Sequence, residues 1–238
     1  MREDRQNNEI RPIKITPYYL KNADGSVLME CGDTKVICSA MIESKVPFFL
    51  KGKNTGWLSA EYSMLPGSTP IRKVRDISRG KPDGRSQEIQ RMIGRSLRQV
   101  IDLDKLGEHT IWIDCDVINA DGGTRTTAIN GSYIALQLAI KKALEEKRIL
   151  EDPMMSKIGA ISVGKVQEIT LLDLDFSEDS QADVDLNIVM DENYQLIEIQ
   201  GTGEKNSFSR KELDEFLDYA EIGIKDILTH MEIVEKYL

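Results

Sequence analysis

The chain has 238 residues, of which 40% are hydrophobic and 30% charged, a composition typical of a soluble globular protein with a substantial core. No apolar run approaches the roughly 18 residues that cross a bilayer, and the first residues are polar, so we expect a cytoplasmic protein without a membrane partner or a signal peptide. Two histidines and three scattered cysteines argue against a zinc site or a histidine-centred triad and favour buried free thiols.

The net charge of −9 argues against a nucleic-acid partner, but the charge is unevenly distributed. Residues 72–98 contain nine basic side chains and only three acidic ones. Such a segment on an acidic body can hold a polyanion at one place. A solvated helix face with scattered ion pairs is the alternative interpretation.

The first third of the chain predicts strands, at 26–32, 34–42 and 56–65, because β-branched or alternating runs are separated by turn signals. Residues 65–84 are rich in proline and glycine and predict a long loop, which in a compact domain is usually functional or disordered. A helix is then predicted from Ser86, a candidate N-cap, with an apolar stripe at Ile89, Ile93 and Leu97.

The remainder of the chain predicts an alternation of strands and helices. A half-buried strand is predicted at 110–118 and a buried helix at 128–149. Strands at 158–164, 167–174, 182–190 and 194–201 follow, and a long amphipathic helix begins after Ser209, which forms a capping box with Glu212. The pattern predicts an α+β fold of mixed sheets with buried helices, in a single domain over residues 1–238.

The segment Gly122-Gly123-Thr124-Arg125-Thr126-Thr127 lies between a predicted strand and the start of a predicted helix. Free N–H groups and the positive end of the helix dipole make such a turn suited to anions, and an arginine fork matches phosphate geometry. A glycine turn with threonine caps is the alternative interpretation.

Four acids crowd the eight residues that lead into the predicted strand at 182–190 and begin it: Glu178, Asp179, Asp183 and Asp185. We expect Asp183 and Asp185 to share one face of a strand, where a cation must offset their repulsion. Asp185 lies where burial should begin, which favours Mg²⁺ with a partial water shell. An exposed acidic turn is the alternative.

Arg85 follows the turn Pro82-Asp83-Gly84 and can reach the same anion as a second donor, or lie solvated at a helix start. No side chain forms a nucleophile backed by a base, so the sequence favours attack by a bound small molecule over a covalent intermediate. Together, the anion turn, the acids and the basic loop suggest that a phosphodiester is handled with phosphate and a metal.

Several long segments resemble the ribonuclease PH family, in order and with nearly the same spacing. They are residues 9–12, 25–43, 56–66, 84–98, 113–136, 178–190 and 197–204. The chain departs from the family pattern at Arg2-Glu3-Asp4-Arg5, at Gly67 and in the late segment Gly201-Thr202-Gly203-Glu204-Lys205.

The resemblance implies phosphorolytic trimming of RNA 3′ ends, associated with tRNA maturation, and a fold like the second domain of ribosomal protein S5. It implies inorganic phosphate as co-substrate, Mg²⁺ or Mn²⁺ as the metal, RNA 3′ ends such as those of tRNA precursors as partners, and a homo-hexamer built as a trimer of dimers. A non-catalytic ring subunit and a hydrolytic nuclease are the alternative functions.

The resemblance to the family also implies residue roles. These are phosphate binding by Arg85, Gly123, Thr124 and Arg125, catalysis by Arg85, Arg125, Asp179 and Asp185, metal binding by Asp179 and Asp185, and RNA binding by Arg72, Arg75 and Arg79.

Overall fold

A computed structural model describes Arg2 and residues 5–81 and 83–235. Pro82 of the predicted turn, Glu3 and Asp4 of the N-terminal segment, and residues 236–238 of the predicted last helix lie outside the described residues. The prediction of a single domain over residues 1–238 stays a prediction.

Two sheets form the frame of the molecule. The five-stranded sheet has the order β1-β2-β3-β5-β4, in which only β4 and β5 run parallel. The four-stranded sheet is antiparallel, with the order β7-β6-β8-β9. The strands are β1 Ile13–Pro17, β2 Gly25–Cys31, β3 Thr34–Glu43, β4 Trp57–Met64, β5 Thr110–Asn119, β6 Ile158–Val166, β7 Ile169–Leu172, β8 Val184–Asp191 and β9 Leu196–Gly203.

The helices connect and cover these sheets. Three of them fall between the parallel strands β4 and β5, and the longest closes the described chain. The helices are α1 Asp76–Arg79, α2 Gly84–Arg98, α3 Leu103–Leu106, α4 Thr124–Glu145, α5 Phe176–Asp179 and α6 Arg210–Glu235, with a 3₁₀ turn at Phe48–Leu50.

Helix α4 is buried between the two sheets, packed on β2 and β3 of one and on β6 of the other. Gly131 permits the first contact, because a Cβ there would lie 2.7 Å from the Cys38 sulfur. Asn130 makes the second: its side chain both donates to and accepts from the backbone of Ala160, at 2.9 and 2.8 Å. Helix α6 covers the opposite side of β6, where Gly159 faces Ile224. The contacts of Asn130 and Gly131 thereby fix the N-terminal half of α4 against both sheets.

Most predicted elements are confirmed, with corrections at their ends. The α+β class, the buried helix α4, the free buried cysteines and the Ser209–Glu212 capping box are all observed. The N-cap of α2 is Asp83, so the assignment of Ser86 as N-cap is wrong; the Ser86 hydroxyl lies inside the helix and donates to Asp83. Strand β1 was not predicted, although Ile13–Pro17 alternates apolar and polar residues.

Within the described residues, no helix is both long enough and apolar enough to cross a membrane.

Candidate active site

A polar cleft of about 360 Å³ opens where helix ends from the first half of the chain meet β8 and β9. The first turns of α2 and α4 contribute one side and the end of α5 contributes the other. The side chains that matter for chemistry here are Arg85, Arg125, Asp179, Asp185, Glu204 and Lys205. The structure therefore brings together Arg85, Arg125 and the Asp179–Asp185 pair, which come from three separate parts of the sequence and were predicted to act together.

The glycine turn is the N-terminal end of α4. Gly122 and Gly123 have φ angles of 73° and 61°, the left-handed region that favours glycine. The helix begins at Thr124, four residues before the predicted start, so Thr124 and Arg125 belong to its first turn. The first N–H groups of a helix have no partner within it, and 22 residues of aligned peptide dipoles follow them. This end of α4 has the geometry of an anion site.

The two predicted phosphate-binding arginines are held differently. Arg125 Nη1 donates to Gln200 Oε1 at 2.5 Å, and the Gln200 amide in turn donates to Glu88. The side chain of Arg85 has no hydrogen-bond partner among the described residues, and it lines the cleft and two adjoining cavities. One guanidinium is fixed in orientation and the other is available to a ligand.

The hydroxyl of Thr124 is oriented from β4. Tyr62, which is buried, donates its phenol to Thr124 Oγ1 at 2.9 Å. Burial raises the pKa of Tyr62, so the phenol keeps its proton and remains a donor. One of the two lone pairs of Thr124 Oγ1 accepts this bond, so the hydroxyl hydrogen of Thr124 points elsewhere.

Two carboxylates face the arginines. Burial raises the pKa of Asp185 to about 6, with a further contribution from Asp179, against the opposing effect of Arg125. The pKa of Asp179 is also raised by burial, and Arg85 and Arg125 act in the opposite direction. Two desolvated acids beside each other favour a bound cation or proton, since either relieves their repulsion.

The acidic cluster differs from the prediction in one respect. Strand β8 begins at Val184, so Asp183 lies just outside it and does not line the cleft; the expectation that Asp183 and Asp185 share a strand face is wrong. Asp179, the last residue of the short helix α5, lines the cleft together with Asp185 instead. Within the described part of the chain, no group of three or more His, Cys, Asp or Glu side chains could hold a metal ion. The metal role of Asp179 and Asp185 stays a prediction.

Family models match most of the chain. The model described as 3′ exoribonuclease family, domain 1, matches residues 9–142, and that for domain 2 matches residues 157–223. The chain belongs to the 3′ exoribonuclease family. Ribonuclease PH from Syntrophomonas wolfei subsp. wolfei (strain DSM 2245B / Goettingen) is 54% identical over 226 residues, which cover 95% of this chain and 95% of that protein.

Solved structures support the family fold. Rice (Oryza sativa) Rrp46 matches with a TM-score of 0.79 at 18% identity, over 97% of each chain. An archaeal exosome core gives 0.77 at 21% identity, over 96% of this chain and 89% of that one. The Archaeoglobus fulgidus exosome with RNA bound to the active site gives 0.76 at 22% identity, over 98% and 91%. These three show that the chain has the fold of the exoribonuclease family.

The arginines predicted to bind RNA lie apart from the polar cleft. Arg72, Arg75 and Arg79 are exposed, in the loop before α1 and in α1 itself. Lys73, which the prediction did not single out, connects them to the site: it lines an apolar cavity of about 500 Å³ that also reaches Arg85. A role for these arginines in RNA binding stays a prediction.

Several residues at the site have no distinctive local chemistry in the sequence, although Tyr62 and Gln200 lie in segments that resemble the family. Gln200 and Tyr62 are an ordinary strand glutamine and a buried tyrosine, and only the fold places them against Arg125 and Thr124. Glu204 is the last residue of the segment 197–204 that carried the family resemblance, and Lys205 lies just outside that segment. The backbone N–H groups of both donate to the Asp183 carbonyl, at 2.9 and 3.2 Å, which holds them at the mouth of the cleft.

Proposed function

We propose that this chain is a phosphorolytic 3′-to-5′ exoribonuclease that trims the 3′ ends of tRNA precursors, using inorganic phosphate and releasing nucleoside 5′-diphosphates. The observation that carries the proposal is the cleft itself, in which Arg85, Arg125 and the start of α4 face Asp179 and Asp185. The 54% identity to a protein named ribonuclease PH supports the same activity.

Orthophosphate fits the arginine side of the cleft. The Arg125 fork, oriented by Gln200, and the unpaired fork of Arg85 supply paired N–H donors for phosphate oxygens. The N–H groups at the start of α4 add donors that need no rearrangement. Bound there, phosphate is held beside the place where the last RNA linkage enters.

The reaction exchanges one phosphorus–oxygen bond for another. An oxygen of the bound phosphate forms a bond to the terminal phosphorus, and the bond from that phosphorus to the 3′-oxygen of the preceding nucleotide breaks. The proton of hydrogen phosphate ends on the released 3′-hydroxyl. The products are a nucleoside 5′-diphosphate and an RNA shorter by one residue. Because the bonds formed and broken are similar in energy, we expect nucleotide addition when diphosphates are abundant.

Asp179 and Asp185 fit a hard divalent cation, Mg²⁺ or Mn²⁺. Their donors are carboxylate oxygens. Desolvation raises both pKa values, and Asp179 raises the pKa of Asp185 further; a bound cation would offset this cost. When bound there, such an ion supplies charge stabilisation to phosphoryl oxygens. The carboxylates themselves would hold it, with water completing its shell.

The proposal includes the cytoplasm as the compartment and a homo-oligomer as the working form, a hexamer made of three dimers. Exposed apolar side chains on the outer face of the five-stranded sheet support an assembly, since Met41 and Trp112 are paired across β3 and β5 and are 47% and 37% exposed. The exosome structures with the same fold are named for assemblies as well. The exposed arginines Arg72, Arg75 and Arg79 would then contact the RNA chain.

Two alternative functions predict different products from those of phosphorolysis. A hydrolase would release nucleoside monophosphates with or without phosphate, and a non-catalytic ring subunit would release nothing. The test incubates the purified protein with a 3′-extended tRNA and Mg²⁺, with and without orthophosphate, and resolves the nucleotides. Diphosphates that depend on phosphate are the expected result, and monophosphates in both reactions would overturn the proposal.

A further inference from the structure

A buried ion pair lies behind the cleft, between the N-terminal segment and the loop from β7 to α5. Arg11 is 5% exposed and Asp173 1%. Arg11 Nη2 and Nε donate to the two Asp173 carboxylate oxygens at 2.7 and 2.9 Å, and the Arg11 backbone N–H donates to the same carboxylate at 2.8 Å. Neither residue lines the cleft or its adjoining cavities. The pair therefore lies outside the space in which phosphate or RNA would bind.

The Arg11 guanidinium also contacts the glycine turn Gly122–Gly123 at the start of α4, which is called the phosphate turn below. Arg11 Nη1 donates to the Asp121 carbonyl, and Nη2 lies 3.5 Å from the Gly122 carbonyl. From the other side, Thr34 Oγ1 donates to the Gly122 carbonyl at 2.6 Å and accepts from the Asp121 N–H at 2.9 Å. In a trans peptide the C=O and the next N–H point in opposite directions. Holding the Gly122 carbonyl inward thus turns the Gly123 N–H away from the pair.

At its other end, the pair holds the loop that leads to Asp179. Arg5 bridges the Asp173 and Glu178 carboxylates, at 3.2 Å to each. Glu178 forms a capping box with Asp175 at the start of α5, and Asp179 is the next residue. The carboxylate predicted to bind the metal is therefore one residue from a group tied to Asp173.

The turn and this loop are also in direct contact. A Cβ on Gly122 would lie 2.3 Å from the Leu174 carbonyl oxygen, so no side chain fits between them. The Asp121 carboxylate accepts from the Phe176 N–H at 3.3 Å. Two segments that are about fifty residues apart are thus packed backbone to backbone, with the ion pair at their junction.

We propose that Arg11 is a positioning residue for the reaction, which sets the separation between the phosphate turn at Gly122–Gly123 and the helix that carries Asp179. The planar Arg11 guanidinium binds both the Asp173 carboxylate, in the loop from β7 to α5, and the backbone carbonyls of the phosphate turn. Displacement of either segment misplaces phosphate relative to Asp179. The inference rests on the proposed phosphorolytic function and adds a residue that the cleft itself does not contain.

The test compares Arg11→Lys with Arg148→Lys. Lysine keeps the charge but cannot span the carboxylate and the turn carbonyls. Arg148 is a matched control, since it donates to both Asp24 oxygens at 3.2 and 2.8 Å and to the Ile42 carbonyl at 3.2 Å, outside the cleft. We expect Arg11→Lys to raise the KM for phosphate or lower kcat by roughly 10- to 100-fold. The KM for RNA should stay within about twofold, and Arg148→Lys should change only the melting temperature.

A folded Arg11→Lys enzyme with wild-type kcat and phosphate KM, and a lowered melting temperature like that of Arg148→Lys, would overturn the inference. If Arg11→Lys does not fold, Thr34→Val decides the matter, because it removes only the hydroxyl between Asp121 and Gly122. A raised KM for phosphate in Thr34→Val supports the inference, and an unchanged one overturns it. The wild-type reaction run in parallel separates the two proposals, since wild-type enzyme that releases no diphosphates contradicts the proposed function itself.

Discussion

Two regions of this protein are expected to bind phosphate groups, and the fold holds them in opposite ways. In the turn at the start of α4, Thr124 is bonded to Tyr62 and Arg125 to Gln200, and both lie on a helix buried between two sheets. In the segment 72–79, the side chains of Arg72 and Arg75 have no hydrogen-bond partner within the described residues, and the Arg79 side chain donates to the Asp83 carboxylate at 3.3 Å.

This difference in how the side chains are held implies different roles: catalysis for the turn at the start of α4 and attachment of RNA for the segment 72–79. Donors that are already oriented stabilise developing charge without reorganising when the reaction occurs. Exposed arginines contribute a screened, nearly additive attraction to RNA phosphates. We therefore expect substitutions in the turn to change phosphate dependence and kcat, and substitutions in the segment 72–79 to change RNA affinity and its dependence on salt.

The largest effect is expected from Arg125→Ala. Loss of an oriented donor at the reacting phosphate should lower kcat/KM for phosphate by roughly 10²–10³-fold. Initial rates over a range of phosphate concentrations measure this. Arg95→Ala is the control, since Arg95 pairs with Glu198 at 2.5 Å on the surface beside the site. An Arg125→Ala enzyme whose rate keeps its normal phosphate dependence would remove Arg125 from the anion site.

Gly122→Ala should be the most damaging small change in the turn. The residue has a φ of 73°, and the added Cβ would meet the Leu174 carbonyl at 2.3 Å. We expect a loss of about 3 kcal/mol in the free energy of unfolding, from backbone strain and displacement of the loop to α5. Gly67→Ala is the control, because a Cβ there meets nothing within 4 Å. Denaturant unfolding of both variants gives the comparison, and equal stabilities would contradict it.

Asp185→Asn should stabilise the metal-free protein while it removes activity. The pKa of Asp185 rises to about 6 in the fold, so the folded state binds the proton more tightly than the unfolded one. Stability therefore declines as the pH rises from about 4 to about 6, and the full penalty of roughly 3 kcal/mol persists above that range. Asparagine removes this penalty.

Melting temperatures with a chelator test that expectation. Asp185→Asn should melt several degrees above wild type at pH 7.5, and the difference should shrink near pH 4.5. A constant difference at both pH values would assign the change to packing instead of charge. Near-normal turnover of Asp185→Asn at saturating Mg²⁺ would remove the proposed metal role.

Residues with distinctive chemistry could be predicted from the sequence, and their supports could not. Gly123, Thr124 and Arg125 follow a strand in a pattern that favours anions, and the structure places them with Asp185 in one region. Gln200 and Arg11 reach this region only because β9 and the N-terminal segment pack there. Such contacts depend on long-range topology, which the local pattern of a single sequence does not encode.

The helix boundaries show the same limit at short range. The sequence around Gly122–Gly123 predicts a turn through Thr127, whereas α4 already begins at Thr124. Threonine has a modest helix propensity, but here Thr124 is bonded to Tyr62 and Thr126 donates to the Gly123 carbonyl at 2.9 Å. One tertiary and one local hydrogen bond therefore accompany the extension of the helix into the motif, which places Arg125 in its first turn.

The smallest effect is expected from Arg75→Ala, and it tests the comparison from the exposed side. Removal of one phosphate contact should raise the KM for RNA by roughly two- to fivefold at low salt and reduce the slope of log affinity against log salt by about 0.7. The KM for phosphate should not change, because Arg75 does not line the cleft. RNA titrations between low and moderate salt measure both quantities. If Arg75→Ala instead changed the phosphate KM, the segment 72–79 would take part in the reaction, and the distinction between an oriented turn and an exposed attachment surface would fail.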